Sequence, residues 1–256
     1  MSWASQRQAT YFFGLVFILL LIIGIPTFFA LYDPPACTDG IRNGTEEGTD
    51  CGGECPIVCS FQAAAPLVHW SRLFEIVPGV YTAVALIENP NSNFEAQNVS
   101  YLFKLRDRGS LLVAEKEGTI ELPARKQIPI FITGLQTGER VPVRVEFSWQ
   151  GEPVWTESTE LEDPLIVTDR EVQNADVSPR VTATMMNSGT MTISDLPVIV
   201  ILFDSEGNAL HASRTIIESL PPSKETPVIF TWPKPFERPV SKIEIISLLH
   251  EATLSR

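Results

Sequence analysis

The sequence predicts a mainly β protein with an N-terminal transmembrane helix, a short disulfide-rich segment and two tandem immunoglobulin-like β-sandwiches. Three observations support this prediction: an uncharged apolar run near the N-terminus, four cysteines clustered after it, and short strand-like apolar segments through the rest of the chain. The chain is acidic, with a formal net charge of −12. Neither nucleic acid nor an anionic lipid surface is therefore expected as a partner, because phosphate groups would repel such a chain.

Residues 9–32 are predicted to form the transmembrane helix. The segment from Ala9 to Tyr32 contains no charged residue, and about 20 apolar residues are enough for a helix to cross a bilayer. A cleaved signal peptide has a shorter apolar core of about 7–15 residues. An uncleaved anchor is therefore favoured over a cleaved or lipid-modified N-terminus.

The charges beside this run indicate its orientation. Arg7 is the only basic residue before the run, and Asp33 follows it directly. Because basic residues favour the cytoplasmic side of a membrane, residues 1–8 are expected to be a cytoplasmic tail. The protein would then be a single-pass protein of the cell membrane whose C-terminal bulk is extracytoplasmic.

Residues 33–61 are predicted to form a cysteine-rich stalk. The stalk holds every cysteine of the chain: Cys37, Cys51, Cys55 and Cys59. An even number of cysteines just outside a membrane anchor is typical of disulfides, which persist in oxidising compartments. We therefore expect disulfides, with the pairing left open. Zinc is the weaker alternative, because structural zinc sites commonly use two separated pairs of cysteines.

The same stalk places acidic and amide side chains at the spacing of a calcium loop. Counted from Asp39 as the first position, Asn43, Glu47 and Asp50 fall at the fifth, ninth and twelfth positions. EF-hand loops place oxygen ligands at these positions, but Ile41 occupies the third position and no helical pattern flanks the loop. A disulfide-stapled turn without an ion is favoured, and a weak extracellular calcium site on the four polar residues is the alternative. No other cofactor is expected.

After the stalk, short apolar segments alternate with turn residues. Val99, Tyr101, Phe103 and Leu105 alternate with mainly polar residues, and this period of two predicts a strand with one buried face. Similar segments recur at intervals of about 8–12 residues, which is typical of a β-sandwich or barrel.

A shift of 98 residues aligns the chain with itself without a gap. The matching residues lie at expected strand ends, where turn geometry favours them; they include Asn89 with Asn187, Gly109 with Gly207, and Pro129 with Pro227. This match predicts a tandem duplication, with one sandwich in residues 62–162, a second in residues 163–250, and a tail in residues 251–256. The short join between the sandwiches predicts a stiff rod.

Several segments resemble known bacterial domains. "FKLRD" at residues 103–107 and "VILFD" at residues 200–204 resemble the F-x-L-Y-D strand signature of extracytoplasmic sandwich domains. "ENPNSNFEAQNVSYLFKL" and "GTIELPARKQIPIFI" resemble type-2 late-embryogenesis-abundant domains. The chain is thus similar to bacterial membrane-anchored envelope proteins with tandem domains of these types. The resemblance implies a fold and an envelope setting, and it supplies no catalytic residues.

The sequence contains no motif that indicates catalysis. His69, His211 and His250 are separated along the chain, and no nucleophile elbow, phosphate-binding glycine loop or zinc-protease motif occurs. We therefore expect no enzyme, but a membrane protein whose sandwiches serve protein binding or envelope structure and assembly, with a protein partner in the cell envelope. Two alternatives are a stress-protective envelope protein, acting in desiccation or osmotic shock, and an accessory subunit of an envelope enzyme or secretion complex.

Overall fold

The computed structural model describes residues 3–32, 34–158 and 163–255. It confirms a mainly β protein with one apolar N-terminal helix, disulfides in the following segment, and antiparallel sheets that fit β-sandwich domains. The chain divides into two compact units, Met1–Pro56 and Ile57–Arg256, which are described in turn.

The first unit begins with helix α1 (Trp3–Leu31). Its segment Arg7–Phe29 is long and apolar enough to cross a membrane, and its side chains are unburied. Pro26 lies inside the helix, and the neighbouring Thr27 hydroxyl donates a hydrogen bond of 2.6 Å to the carbonyl of Ile23. Such back-bonding is common for hydroxyl residues inside helices.

The helix is longer at its N-terminus than the sequence predicted. Residues 3–8, which we expected to be a tail, belong to α1. The rest of the predicted tail, residues 1–2, and Asp33 lie outside the described residues.

Residues 57–157 of the second unit form two antiparallel sheets, which we call the first sheet pair. One sheet has the order β1-β8-β4-β5, with β7 also paired to β4, and the other has the order β2-β3-β6. The strands are β1 (Ile57–Val58), β2 (Leu67–Val77), β3 (Val80–Glu88), β4 (Phe94–Arg106), β5 (Leu112–Leu122), β6 (Gln127–Gln136), β7 (Arg144–Trp149) and β8 (Trp155–Glu157). A short 3₁₀ helix, Ser60–Gln62, follows β1.

Residues 165–255 form two further sheets, the second sheet pair. One has the order β13-β10-β9, and the other has the order β12-β11-β14, with β15 also paired to β11. The strands are β9 (Leu165–Gln173), β10 (Arg180–Asn187), β11 (Thr192–Phe203), β12 (Ala209–Leu220), β13 (Glu225–Thr231), β14 (Lys242–Ser247) and β15 (Thr253–Ser255). A 3₁₀ helix, Leu249–Glu251, precedes β15.

Both outer boundaries of the predicted sandwiches need correction. Ile57 and Val58 pair with β8, so the first sheet pair begins before residue 62, inside the predicted stalk. At the other end, Thr253–Ser255 pair with β11, so residues 251–256 are not a simple tail. The predicted boundary between the sandwiches falls at residues 159–162, which lie outside the described residues.

The two sheet pairs stack face to face through a shared core, so they are not arranged end to end as we expected for a rod. On β11, Val198, Val200 and Leu202 belong to the core of the second pair. The alternate residues Ile199, Ile201 and Phe203 belong to the core cluster that contains the first pair. Since successive strand residues point to opposite faces, β11 is buried on both sides.

A hydrogen-bonded arginine identifies the face of the first pair that meets β11's sheet. Arg72 on β2 lies beside Val84 of β3 in the register, and Val84 is fully buried. The guanidinium of Arg72 donates to the carbonyl of Ala209 at 3.2 Å and to Asn208 Oδ1 at 3.0 Å. The sheet β2-β3-β6 therefore lies between its own partner sheet and the sheet of β11, and the four sheets form successive layers.

The two pairs repeat the same plan along the chain. In five pairs of strands, the first residues are 98 positions apart: β2 and β9, β4 and β11, β6 and β13, β7 and β14, and β8 and β15. The spacing of 98 residues nevertheless does not hold along β4 and β11. Phe103 of β4 pairs with Phe147, whereas Val200 of β11 pairs with Ile245, so the counterparts in β4 and β11 are 97 residues apart. The ungapped register that we expected is therefore interrupted by one residue between Asn187 and Ile193.

Candidate functional site

The cysteine-rich segment forms the disulfides that the sequence predicted. Cys37 is bonded to Cys55, with their Cα atoms 5.6 Å apart. Cys51 and Cys59 are also disulfide-bonded, and no cysteine is free. Every sulfur is therefore engaged in a disulfide, which leaves no thiolate for the alternative zinc site.

The acidic side chains of this segment bind backbone N–H groups. The carboxylate of Asp39 accepts hydrogen bonds of 2.8 Å from the Ile41 N–H and from Asn43 Nδ2. These bonds, the one from Asn43 above all, hold the pKa of Asp39 below its usual value. The carboxylate of Asp50 accepts the Gly40 N–H at 3.0 Å. The two predicted ligands thus shape the loop on which they lie.

Glu46, which was not among the predicted calcium ligands, has a similar structural role. Its Oε2 atom accepts the N–H of Asn43 at 3.2 Å and that of Asp50 at 3.4 Å. Gly53 lies close to this loop with φ +65°, and a Cβ atom there would lie 2.0 Å from the Thr45 carbonyl oxygen. Only glycine fits this close approach of two backbone segments.

The donor set only partly fits a calcium ion. Within the described residues, one group of three close titratable side chains occurs here, Cys37, Glu46 and Cys55, and two of its members are joined in a disulfide. The carboxylates of Asp39, Glu47 and Asp50 do not form such a group. Asn43 Oδ1 is buried and accepts no hydrogen bond from the described residues, so one oxygen remains for a cation. Calcium at this loop stays the alternative to an ion-free turn.

The three histidines lie in different surroundings. His69 Nε2 lies 2.7 Å from Glu88 Oε2 at the surface, and Gln127 donates a hydrogen bond to the same carboxylate. Both hydrogen bonds lower the pKa of Glu88, and the one from Gln127 has the larger effect. His211 stacks on Phe236, with ring centroids 4.3 Å apart, and burial lowers its pKa.

His250 is half-buried in the 3₁₀ helix before β15. Burial, assisted by the charge of Lys126, lowers its pKa to about 4. Of the described histidines, none belongs to a cluster of three metal-ligating groups.

A cavity of about 640 Å³ lies where the two sheet pairs meet. Lys126 and Asp163 form an ion pair of 3.0 Å on its wall, and the Ser158 hydroxyl donates to Glu95 at 2.8 Å. Leu165, His250 and other residues of the second pair complete the lining. These polar groups thus hold the first sheet pair to the segment that leads into the second sheet pair. Their role in the wall is structural. Ser158 and Asp163 bracket the segment 159–162, outside the described residues.

Comparisons with known proteins identify no family for this chain. No family model matches, and no curated protein matches. Among solved structures, a red sea bream transglutaminase is 14% identical, with a TM-score of 0.25, over 75% of this chain and 31% of that one. A β-glucuronidase of glycoside hydrolase family 2 is 11% identical, with a TM-score of 0.24, over 85% of this chain and 29% of that one. The chain spans about a third of these two enzymes, and likenesses this weak say nothing about its activity.

Proposed function

We propose that the protein is a non-enzymatic, single-pass membrane protein that presents its sheet pairs outside the cytoplasm for protein binding or envelope assembly. The observation that carries this proposal is the succession of an apolar span, Arg7–Phe29, and a segment whose cysteines are all oxidised. Because disulfides persist outside the reducing cytosol, the residues after the span belong on the oxidising side. Arg7 then belongs on the cytoplasmic side, as basic residues prefer.

Reporter fusions test this orientation. Alkaline phosphatase is active only after export, so a fusion at the C-terminus should be active and a fusion at the N-terminus inactive. In the same cells, a thiol-alkylating reagent should label the protein only after reduction. The reverse pattern of activity, or labelling of all four cysteines without reductant, would rule out the proposed topology.

We also propose that the two sheet pairs are immunoglobulin-like sandwiches that arose by duplication. A shared buried asparagine supports this proposal. Asn89 Nδ2 donates to the Phe94 and Leu122 carbonyls at 2.8 and 3.1 Å. Asn187, 98 residues later, donates to the carbonyls of Met191 and Leu220 at 2.8 and 2.9 Å. Two unrelated domains would rarely keep one buried amide with matching partners.

The edge strand β12 is the candidate surface for a protein partner. It lies at the end of its sheet, and the side chain of Ile216 on it is 55% exposed. Ile216 lines a cleft of about 360 Å³ together with Ile229 of β13, which is 46% exposed. An extended peptide can add to such an edge, with its side chains in the neighbouring pocket.

The corresponding edge of the first pair is protected. Strand β5 also ends its sheet, but its middle carries the exposed charged residues Glu115, Lys116 and Glu117. Charged side chains on an edge strand discourage pairing with another chain. Strand β12 also carries two exposed charged residues, Arg214 and Glu218, but they are separated and the exposed Ile216 lies between them. This difference from the three successive charges of β5 favours β12 as the binding strand.

Site-specific photocrosslinking in cells tests this surface. A photoreactive amino acid at position 216 should give a discrete adduct, and the same amino acid at position 116 on β5 is the matched control. No adduct at position 216, or adducts of equal yield at both positions, would exclude β12 as the partner's strand.

A further inference from the structure

One end of the first sheet pair carries two loops in which arginines lie among exposed aliphatic side chains. These are residues 106–112, between β4 and β5, and residues 137–144, between β6 and β7; we call them the arginine tip. The N–H of Val143 donates to the carbonyl of Arg106 at 2.8 Å, which holds the two loops together. In the sheet, Arg106 lies between Leu112 of β5 and Arg144 of β7.

The aliphatic side chains of the arginine tip face solvent. Leu111 is 60% exposed and Val141 is 63% exposed, and Leu112 and Val143 beside them are exposed as well. Single exposed apolar residues are common on proteins, whereas a group of them indicates a surface that contacts an apolar medium or partner. The fold does not require this group, because residues on exposed turns make little contribution to a core.

The arginine tip is positively charged although the whole chain is acidic. It holds four arginines, Arg106, Arg108, Arg140 and Arg144, against two carboxylates, Asp107 and Glu139, a net charge of +2. The excess is +1 when Glu146, the ion-pair partner of Arg106, is counted as well. The Asp107 carboxylate accepts the Leu111 N–H at 3.0 Å and so shapes the turn. Arg106 is paired with Glu146 at 2.8 Å, while Arg108, Arg140 and Arg144 are exposed.

In the second sheet pair, the turn that corresponds to residues 106–112 lacks this character. Residues 204–208 read "DSEGN" and include neither a cation nor a large aliphatic residue. Asp204 accepts the Asn208 N–H at 2.7 Å, as Asp107 accepts that of Leu111, and its other oxygen pairs with Arg238 at 2.9 Å. The geometry of this turn is shared, so Arg108 and Leu111 of the first pair serve something other than the turn.

We propose that the arginine tip docks on an anionic phospholipid bilayer. Arg108, Arg140 and Arg144 bind lipid headgroups, and Leu111 and Val141 enter the interfacial region, because interfacial binding combines buried apolar area with attraction to anionic lipids. Each basic residue near an anionic membrane strengthens binding roughly fivefold. Electrostatic screening limits the repulsion from acidic residues elsewhere, since the Debye length is about 8 Å at physiological ionic strength. The overall charge of −12 therefore does not decide what the tip binds.

A lipid surface fits this tip better than an acidic protein does. The exposed aliphatic residues lie on two separate loops, one on each side of Arg106 in the sheet order. A fluid bilayer accommodates side chains in such positions without a matching pocket, whereas a protein partner must offer complementary holes for them. This proposal is independent of the β12 surface and of the protein's orientation in its own membrane.

Vesicle flotation with the full chain tests the proposal. The protein is placed in nanodiscs of neutral phosphatidylcholine and mixed with vesicles of phosphatidylcholine, with or without phosphatidylglycerol. We expect it to float only with the phosphatidylglycerol vesicles, and to bind less as salt is added. Equal flotation with both vesicles, no flotation with either, or capture by a polyglutamate resin without flotation would overturn the proposal; the last result would indicate an acidic protein partner.

A pair of matched variants locates the binding surface. The double variant Arg140→Glu/Val141→Ser should bind phosphatidylglycerol vesicles at least about tenfold more weakly, since it reverses one charge and removes one apolar contact. Arg180→Glu/Val177→Ser changes the same residue types at exposed positions of the second sheet pair and should leave binding within about twofold of the unaltered protein. Equal binding by the two variants, with unchanged melting of both, would show that the arginine tip is not the docking surface.

Discussion

Replacement of Asn89 by alanine should strongly destabilise the first sheet pair. Asn89 is 1% exposed, and its Nδ2 atom donates to the carbonyls of Phe94, Leu122 and Pro123 at 2.8, 3.1 and 3.1 Å. Its Oδ1 atom accepts the N–H of Asn91 at 3.0 Å. One side chain thus joins the end of β3 to the start of β4 and the end of β5.

The expected loss follows from the groups that the substitution leaves without partners. Alanine removes the donor of the buried Leu122 carbonyl and the acceptor of the Asn91 N–H, and each unsatisfied buried group costs about 1–3 kcal/mol. With partial relaxation, we expect the free energy of unfolding to fall by about 3 kcal/mol, a large share of the 5–15 kcal/mol typical of a domain. Asn93→Ala, an exposed position in the same turn, should cost less than about 0.5 kcal/mol.

Urea unfolding in detergent micelles, followed by tryptophan fluorescence, measures this difference. Trp155 is 3% exposed in the first pair and should report its unfolding. If Asn89→Ala and Asn93→Ala have the same urea midpoint, the buried amide does not hold the strand ends together. Asn187→Ala provides an internal repeat, since its hydrogen bonds to Met191 and Leu220 match those of Asn89.

Three further predictions concern the layers, pH and calcium. Ile199→Lys should lower the free energy of unfolding by at least about 3 kcal/mol, because it buries an unpaired charge between the sheet pairs. Leu102→Lys, at the half-buried counterpart position in β4, should lower it much less. Equal urea midpoints for the two variants would argue against the stacked layers. Because burial lowers the pKa of His250 from 6.5 to about 4, the unfolded state binds more protons, so stability should be complete above pH 6.5 and fall as pH drops towards 4. His250→Gln should flatten that slope in thermal melts, and an unchanged slope would exclude His250 as its source. Millimolar calcium should release no heat with the oxidised protein, as a plain stapled loop requires; heat that disappears in Asp39→Asn/Asp50→Asn would instead establish the calcium site.

The fold class was predictable because each sequence signal had a single physical meaning. An uncharged run of this length fits the apolar interior of a membrane, and the cysteines clustered after it fit an oxidising compartment. The alternation along β4 predicted a half-buried strand, and Phe103 and Leu105 are fully buried while Lys104 and Arg106 between and beside them are not. The disulfide pairing was not predictable, because the spacing of four cysteines does not specify which sulfurs meet.

The stacking was missed although the sequence contains a signal for it. Residues 196–203 read "LPVIVILF" and residues 80–87 read "VYTAVALI", without the polar alternation of β4. Strands buried on both faces are apolar at every position, and these segments are β11 and β3. The strand at the C-terminus was also within reach, since the shift of 98 residues places Trp155–Glu157 of β8 on Thr253–Ser255 of β15.

The sequence left calcium open as an alternative because spacing alone does not orient side chains. Asp39 and Asp50 stand at ligand positions in the sequence, yet their carboxylates accept backbone N–H groups of Ile41 and Gly40. An acidic loop closed by disulfides has many unpaired amide N–H groups, and its own carboxylates are the nearest acceptors. The same residue types therefore serve equally well to close a turn or to bind an ion, and the sequence does not distinguish the two.

The sequence difference between β4 and β11 explains why the stack ends after two sheet pairs. The outward residues Ile199, Ile201 and Phe203 of β11 correspond, 97 positions earlier, to Leu102, Lys104 and Arg106 of β4. Where β11 covers the first pair, those positions are apolar and buried. In β4 the same face meets solvent, and two of its three positions are basic. A further sheet pair placed on that face would bury Lys104 and Arg106, and the cost of removing two charges from water opposes such growth. Two substitutions in one strand thus distinguish a surface that stacks from a surface that ends the stack.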